Sequence, residues 1–180
     1  GDMMKFGKAF DLSRAQSELE ASGGGGGGSK EEGLNHDAIG KKYKESAVFA
    51  EPEHTVAYAK ATKDENPHYL DESVEGGMMA PPLFAVRALH DVAHAALAYP
   101  ELNADLLRLV HGEQDMRFLE PIRPWDIMTP RGEILDIEQK SSGQLIKVSQ
   151  RIMVEGFPAV EAVAGYFIRG GGSGEKKKKE

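Results

Sequence analysis

The chain has 180 residues, with 22 Lys and Arg against 29 Asp and Glu, six His and no Cys, for a formal net charge of −7. That acidic balance argues against a nucleic-acid partner, because phosphate binding needs a basic face. Lack of cysteine excludes a disulfide framework and a thiol nucleophile. No apolar run approaches the roughly 18 residues of a membrane span, and "GDMMKFGKAFDLSRAQ" at the N-terminus has no signal-peptide apolar core. The expectation is a soluble, cytoplasmic protein.

Residues 1–21 place Phe6, Ala9, Phe10 and Leu12 at a spacing compatible with a short helix, expected to be mobile or disordered. Residues 22–33, "SGGGGGGSKEEG", cannot bury enough apolar surface to offset their ordering entropy and read as a linker. Residues 34–169 suffice for one core of moderate size. From Gly170 the "GGGSGEKKKKE" tail is glycine followed by a solvated lysine run, residues 170–180 being expected to be disordered.

Within 34–169, "KKYKESAVFA" (41–50) reads as an edge strand, polar first and then apolar. "EPEHTVAYAKAT" (51–62) predicts a helix with Pro52 in its first turn and Val56, Tyr58 and Ala59 on its apolar stripe. A polar loop over 63–81 contains "DENPHYLD". A long helix is predicted from Pro81-Pro82 to about Tyr99, with Leu83, Val86, Leu89, Val92 or Ala93, Ala96 and Leu97 facing inward and Pro100 closing it. Strands are predicted over 108–119, 126–139, 144–154 and 159–168, with "SSG" and "EGFP" as hairpin punctuation. Alternation is clearest where Ile146, Val148, Gln150 and Ile152 oppose Leu145, Lys147, Ser149 and Arg151. One alanine-rich helix followed by a meander of strands suggests an α+β domain with an antiparallel sheet wrapped on the helix.

These residues resemble a known family. "YAKATKDENPHYLDES" with "GGMMAPPLFAVRAL", and then "HGEQDMRFLEPIRPWDIMTPRGEIL" (111–135), resemble the MaoC-like dehydratases of hot-dog fold. They are most similar to the N-terminal, accessory half of double-hot-dog members. The second segment is similar to that family's H-x-E-Q-x-x-x-F-x-x-P-I-x-x-G-D strand pair, with Trp125 at the usual glycine. The resemblance covers about residues 38–169. It implies hydration of enoyl thioesters, or dehydration of 3-hydroxyacyl thioesters, carried on coenzyme A or acyl carrier protein, with no cofactor. It also implies a dimer, either of this chain or with a catalytic hot-dog subunit.

The chemistry needs a base, an acid for the departing hydroxyl, and a donor for the growing oxyanion. In the family an Asp-x-Asn-Pro-x-His motif supplies the first two, and a backbone N–H at the start of the long helix supplies the third. By that resemblance Asp64, Asn66 and Pro67 match, but the histidine position holds Tyr69. His68 stands one residue early, and catalytic geometry tolerates only about 0.5 Å. Pro81 falls at the family's glycine, and proline has no N–H. The resemblance therefore implies an accessory half. Asp64, Asn66 and His68 are the candidate catalytic set, and Tyr69, Ala80, Pro81, Pro82 and Leu83 the candidate substrate-binding set. An active homodimer that uses Asp64 and His68, and a binding module without turnover, are the alternatives.

Three further features have plainer readings. "HDVAH" spaces His90 and His94 like a zinc-protease helix, but no third ligand is evident beyond His111, so two solvent-facing histidines are expected and no metal. His111 is expected to hydrogen-bond within the sheet. Trp125 is expected at a rim or turn.

Overall fold

The structure is a computed structural model describing residues 33–170. The expectations for residues 1–21, the linker through residue 32 and the tail beyond residue 170 lie outside the described residues.

The alanine-rich segment forms helix α3 (Val86–Leu97), and helices α1 (Pro52–Ala61) and α2 (Pro67–Leu70) precede it. Six strands, β1 (Lys42–Lys44), β2 (Val48–Phe49), β3 (Leu109–Phe118), β4 (Ile127–Lys140), β5 (Gly143–Val154) and β6 (Phe157–Arg169), form one sheet. Its order is β1-β4-β5-β6-β3, with β2 also on β4, and every pairing is antiparallel.

Small residues let the helix lie close on the sheet. Ala88, Leu89, Val92, Ala93, Ala96 and Leu97 are buried. Ala93, Ala96 and Leu97 share a cluster with Ile134, Ile146, Val148 and Ala164, while Phe84, Ala88 and Leu89 share a second with Ile122, Met128, Ile152 and Val160. At the closest approach, a Cβ on Gly132 would stand 3.1 Å from Val92 Cγ2 and 3.2 Å from the Ser149 carbonyl. Tyr58 of α1 meets Phe84 edge-on, with ring centroids 5.9 Å apart, and so seats α1 beside the start of the long helix. Thr55, which the sequence left off the α1 stripe, is fully buried and donates from Oγ1 to the Pro52 carbonyl.

The inward face of β5 alternates as expected, including Gln150, which is 2 % exposed. A buried amide must be satisfied. Gln150 Nε2 donates to the Leu89 carbonyl of α3 and its Oε1 accepts from Gln114 Nε2. Burial raises the pKa of the neighbouring Tyr166 phenol, a hydrogen bond with Gln150 partly offsetting it.

Several expectations need correction. The strand over 41–50 is two short strands, β1 and β2, interrupted at 45–47. The polar loop contains a helical turn, α2. The four later strands are not a simple meander, since β3 crosses to pair with β6. The long helix begins as a 3₁₀ turn, Pro82–Ala85, and becomes α-helical only at Val86. Pro81 and Pro82 occupy the cap and first position, where no intrahelical N–H is needed, and the turn closes by the Phe84 N–H donating to the Pro81 carbonyl at 2.9 Å. The change of pitch rotates Leu83 and Val86 outward, to 53 % and 43 % exposure, and turns Phe84 and Ala85 in. Among the described residues, no helix is long and apolar enough to cross a membrane.

Gly143 makes the tightest glycine contact at the β4–β5 turn: an added Cβ would lie 2.1 Å from the Ile168 carbonyl oxygen. Gly112, by contrast, has its nearest atom at 3.6 Å. Gly143→Ala is expected to cost about 1–3 kcal/mol of stability and Gly112→Ala well under 1. The two urea unfolding midpoints check this.

Candidate functional site

The motif loop is built by capping. Lys63 takes a left-handed φ of 57°, and the Asp64 N–H donates to the Ala59 carbonyl at 2.9 Å, closing α1. Asp64 Oδ1 accepts from the Asn66 N–H at 3.1 Å. Asn66 Oδ1 then accepts from the His68 N–H at 3.1 Å and caps α2, with Pro67 in its first turn. Asp64 and Asn66 are exposed. His68 and Tyr69 are half-buried, and the Tyr69 N–H donates to the Asn66 carbonyl.

The His68 ring points inward: its Nδ1 is buried without a hydrogen-bond partner. Among the described residues no ion pair or hydrogen bond joins that ring to the Asp64 carboxylate. Asp64, Asn66 and His68 thus share one loop, and the contacts that organise it are backbone caps.

Beyond the loop, the chain returns to the long helix along a fixed track. Gly76 and Gly77 take φ of 85° and 78°, and the Met79 N–H donates to the His68 carbonyl at 2.9 Å. The Ala80 N–H donates to the Ile122 carbonyl at 2.7 Å. Pro81 and Pro82 follow and carry no N–H. Where an oxyanion donor would be expected, one N–H is committed to the strap after β3 and the next two do not exist.

A cavity of about 200 Å³ opens at this point, lined by residues 79–82 on one wall, residues 118–122 on the other, and Val160. It gathers Ala80, Pro81 and Pro82 of the predicted substrate-binding set. Tyr69 and Leu83 do not line it, and neither do Asp64, Asn66 and His68. The second wall was missed in the sequence, although "FLEPI" lies in the quoted motif. A neighbouring groove of about 460 Å³ runs along the far side of Leu119–Pro121, against the β5–β6 hairpin.

His90 and His94 are exposed on α3, His90 Nδ1 lying 3.6 Å from Asp91 Oδ1. Among the described residues no group of three or more His, Asp or Glu is placed to hold a metal ion. His111 stacks on Tyr166, centroids 4.7 Å apart, with Nε2 3.1 Å from the Glu113 carbonyl. That contact lies at the bulge of β3.

A single long helix laid against one face of an antiparallel sheet, with a cavity at its start, defines a hot-dog protein. Within that class the chain belongs to the FAS1-like, dehydratase domain region family, whose model matches residues 37–162. A UPF0336 protein of Thermobifida fusca is 30 % identical over 144 residues, which span 76 % of this chain and 95 % of that protein. Among solved structures, the 3R-hydroxyacyl-ACP dehydratase complex HadBC of Mycobacterium tuberculosis matches with a TM-score of 0.65 at 17 % identity, over 74 % of this chain and 99 % of that one. A MaoC-like dehydratase of Rhodospirillum rubrum matches with a TM-score of 0.60 at 16 % identity, over 73 % of this chain and 92 % of that one. At such identities the structural likeness establishes the fold.

Trp125 is 71 % exposed and holds a φ of 73°, while its N–H donates to the Ala50 carbonyl. A left-handed backbone costs an L-residue about 1–2 kcal/mol, a penalty glycine escapes. Trp125→Gly is therefore expected to leave thermal stability unchanged or raise it by up to about 1 kcal/mol, after glycine's larger unfolded-state entropy. A loss greater than about 1 kcal/mol in a denaturant melt would mean that the indole carries fold-stabilising packing.

Proposed function

We propose that this chain is the accessory half of a hydro-lyase that dehydrates 3-hydroxyacyl thioesters or hydrates enoyl thioesters. It shapes the acyl cavity, and a second hot-dog chain supplies the working Asp–His pair. The observation that carries this reading is the start of the long helix. The Ala80 N–H is taken by the Ile122 carbonyl, and Pro81 and Pro82 have none to give. A missing oxyanion donor costs about 10²–10³ in rate where such donors operate. The capping duty of Asp64, and the absence of a hydrogen bond or ion pair between it and the His68 ring among the described residues, support the same view. HadBC is a complex of 3R-hydroxyacyl-ACP dehydratase, and a two-chain assembly is proposed here by analogy. A substrate carried on coenzyme A or acyl carrier protein, and work in the cytoplasm, belong to the same proposal.

One observation favours the active-homodimer alternative. His68 Nδ1 is buried and unpartnered, and a substrate or second copy could supply its partner. Crotonyl-thioester hydration by the isolated chain separates the two. The accessory reading expects background rates alone, and turnover in the assembled complex that Asp64→Asn leaves unchanged. Robust hydration by the isolated chain, abolished by Asp64→Asn or His68→Ala, would overturn it.

A further inference from the structure

The two walls of the 200 Å³ cavity come from distant parts of the chain and are joined by the Ala80–Ile122 backbone bond, and beside the cavity one side chain spans the same two segments. Arg123 follows the buried Ile122 directly. Its backbone is held at both ends of a tight turn: the Arg123 N–H donates to Asp126 Oδ2 at 2.7 Å, and the Asp126 N–H donates to the Arg123 carbonyl at 3.1 Å. From that fixed base the guanidinium reaches the segment that leads into the other wall. Nη1 donates to the Gly76 carbonyl at 3.1 Å and stands 3.4 Å from the Met78 carbonyl.

The segment it reaches needs holding. Gly76 and Gly77 are both left-handed, and they are the residues with the widest backbone freedom. Between them and the rigid Pro81-Pro82 pair lie only Met78, Met79 and Ala80, and Met79 and Ala80 line the cavity. The Met79 N–H bond to the His68 carbonyl fixes this wall from the motif side, and the Ala80 N–H bond to Ile122 fixes its base. Arg123 holds the lip that leads into this wall, Gly76–Met78, which does not itself line the cavity. Both contacts come from Nη1, whose two N–H groups face the two carbonyls on a planar guanidinium that a lysine ammonium reproduces less well.

We propose that Arg123 is a specificity-determining residue, which holds the Gly76–Met78 lip against the strap after β3 and restricts the cavity to short acyl chains. The substrate class rests on the acyl-thioester reading above. The size limit rests on the cavity, whose 200 Å³ falls below the roughly 300–1,000 Å³ of ordinary ligand sites. Arg123 acts through the lip and is a positioning residue, with no part in the chemistry.

The test is binding of S-butyryl- and S-octanoyl-N-acetylcysteamine to the full chain by calorimetry. These probes lack a carrier and need no turnover, so the result stands apart from the hydration assay. The wild type is expected to prefer the butyryl probe. Arg123→Ala is expected to shift the butyryl-to-octanoyl affinity ratio toward the longer chain by about tenfold, the scale on which apolar pockets discriminate chain length. Arg123→Lys, which keeps a donor, is expected to fall between. A folded Arg123→Ala with a ratio within about twofold of wild type would overturn the proposal. So would a wild type that binds neither probe or prefers the longer one, or an Arg123→Lys indistinguishable from Arg123→Ala. Turnover in the complex with an unchanged ratio would sink this inference alone. A shifted ratio without turnover would sink the hydro-lyase reading and leave Arg123 in place.

Discussion

Helix α3 can lie against the sheet because small residues meet there. Ala88, Ala93 and Ala96 form its inner face, and Gly132 of β4 receives Val92 so closely that a Cβ there would stand 3.1 Å from it. The close approach lets β4, β5 and β6 bury one face against a single helix. Dense packing of this kind tolerates little added volume. The helix start is thereby fixed in space, and with it the segment that leads in from the motif loop.

That fixed start determines what the site can do. In a fold of this kind the beginning of the long helix is the natural place for a backbone donor, since N–H groups there have no intrahelical partner. Here the prolines remove two of them, and the Ala80 N–H just before them serves the strap after β3. What is left is an apolar cleft bounded by Ala80, Pro81 and Pro82 and by residues 118–122. Such a surface offers mainly apolar contact, and its two prolines offer no N–H. In the motif loop the aspartate and asparagine hold a turn, and the histidine ring is turned inward.

Much of this was legible in the residues. The alternation of Ile146, Val148, Gln150 and Ile152 gave the inward face of β5, and the pattern of Leu89, Val92, Ala93 and Ala96 gave the buried face of α3. Other features depend on contacts between distant segments. Nothing local in β3 announces β6 as its partner, and nothing in "FLEPI" announces that it will face Ala80 across a cavity. Leu83 and Val86 turn outward because the chain makes a 3₁₀ turn over Pro82–Ala85, which a 3.6-residue period does not anticipate. The burial of Gln150 follows from alternation, but its bond to the Leu89 carbonyl required the helix to be in place. At "DENPHYLD", the Asn-Pro turn could be read directly, whereas the direction of the histidine ring depended on the fold.

The central claim is that the isolated chain lacks a histidine in register and a backbone N–H at Pro81, the position the resemblance assigns to the oxyanion donor. Restoring both tests it most directly. Crotonyl-thioester hydration should be measured for the wild type and for a folded Tyr69→His, Pro81→Gly double variant. The account predicts background rates for the wild type and for each single substitution. It predicts a clear gain for the pair, lost again on adding Asp64→Asn. A wild type at least as active as the double variant would contradict it.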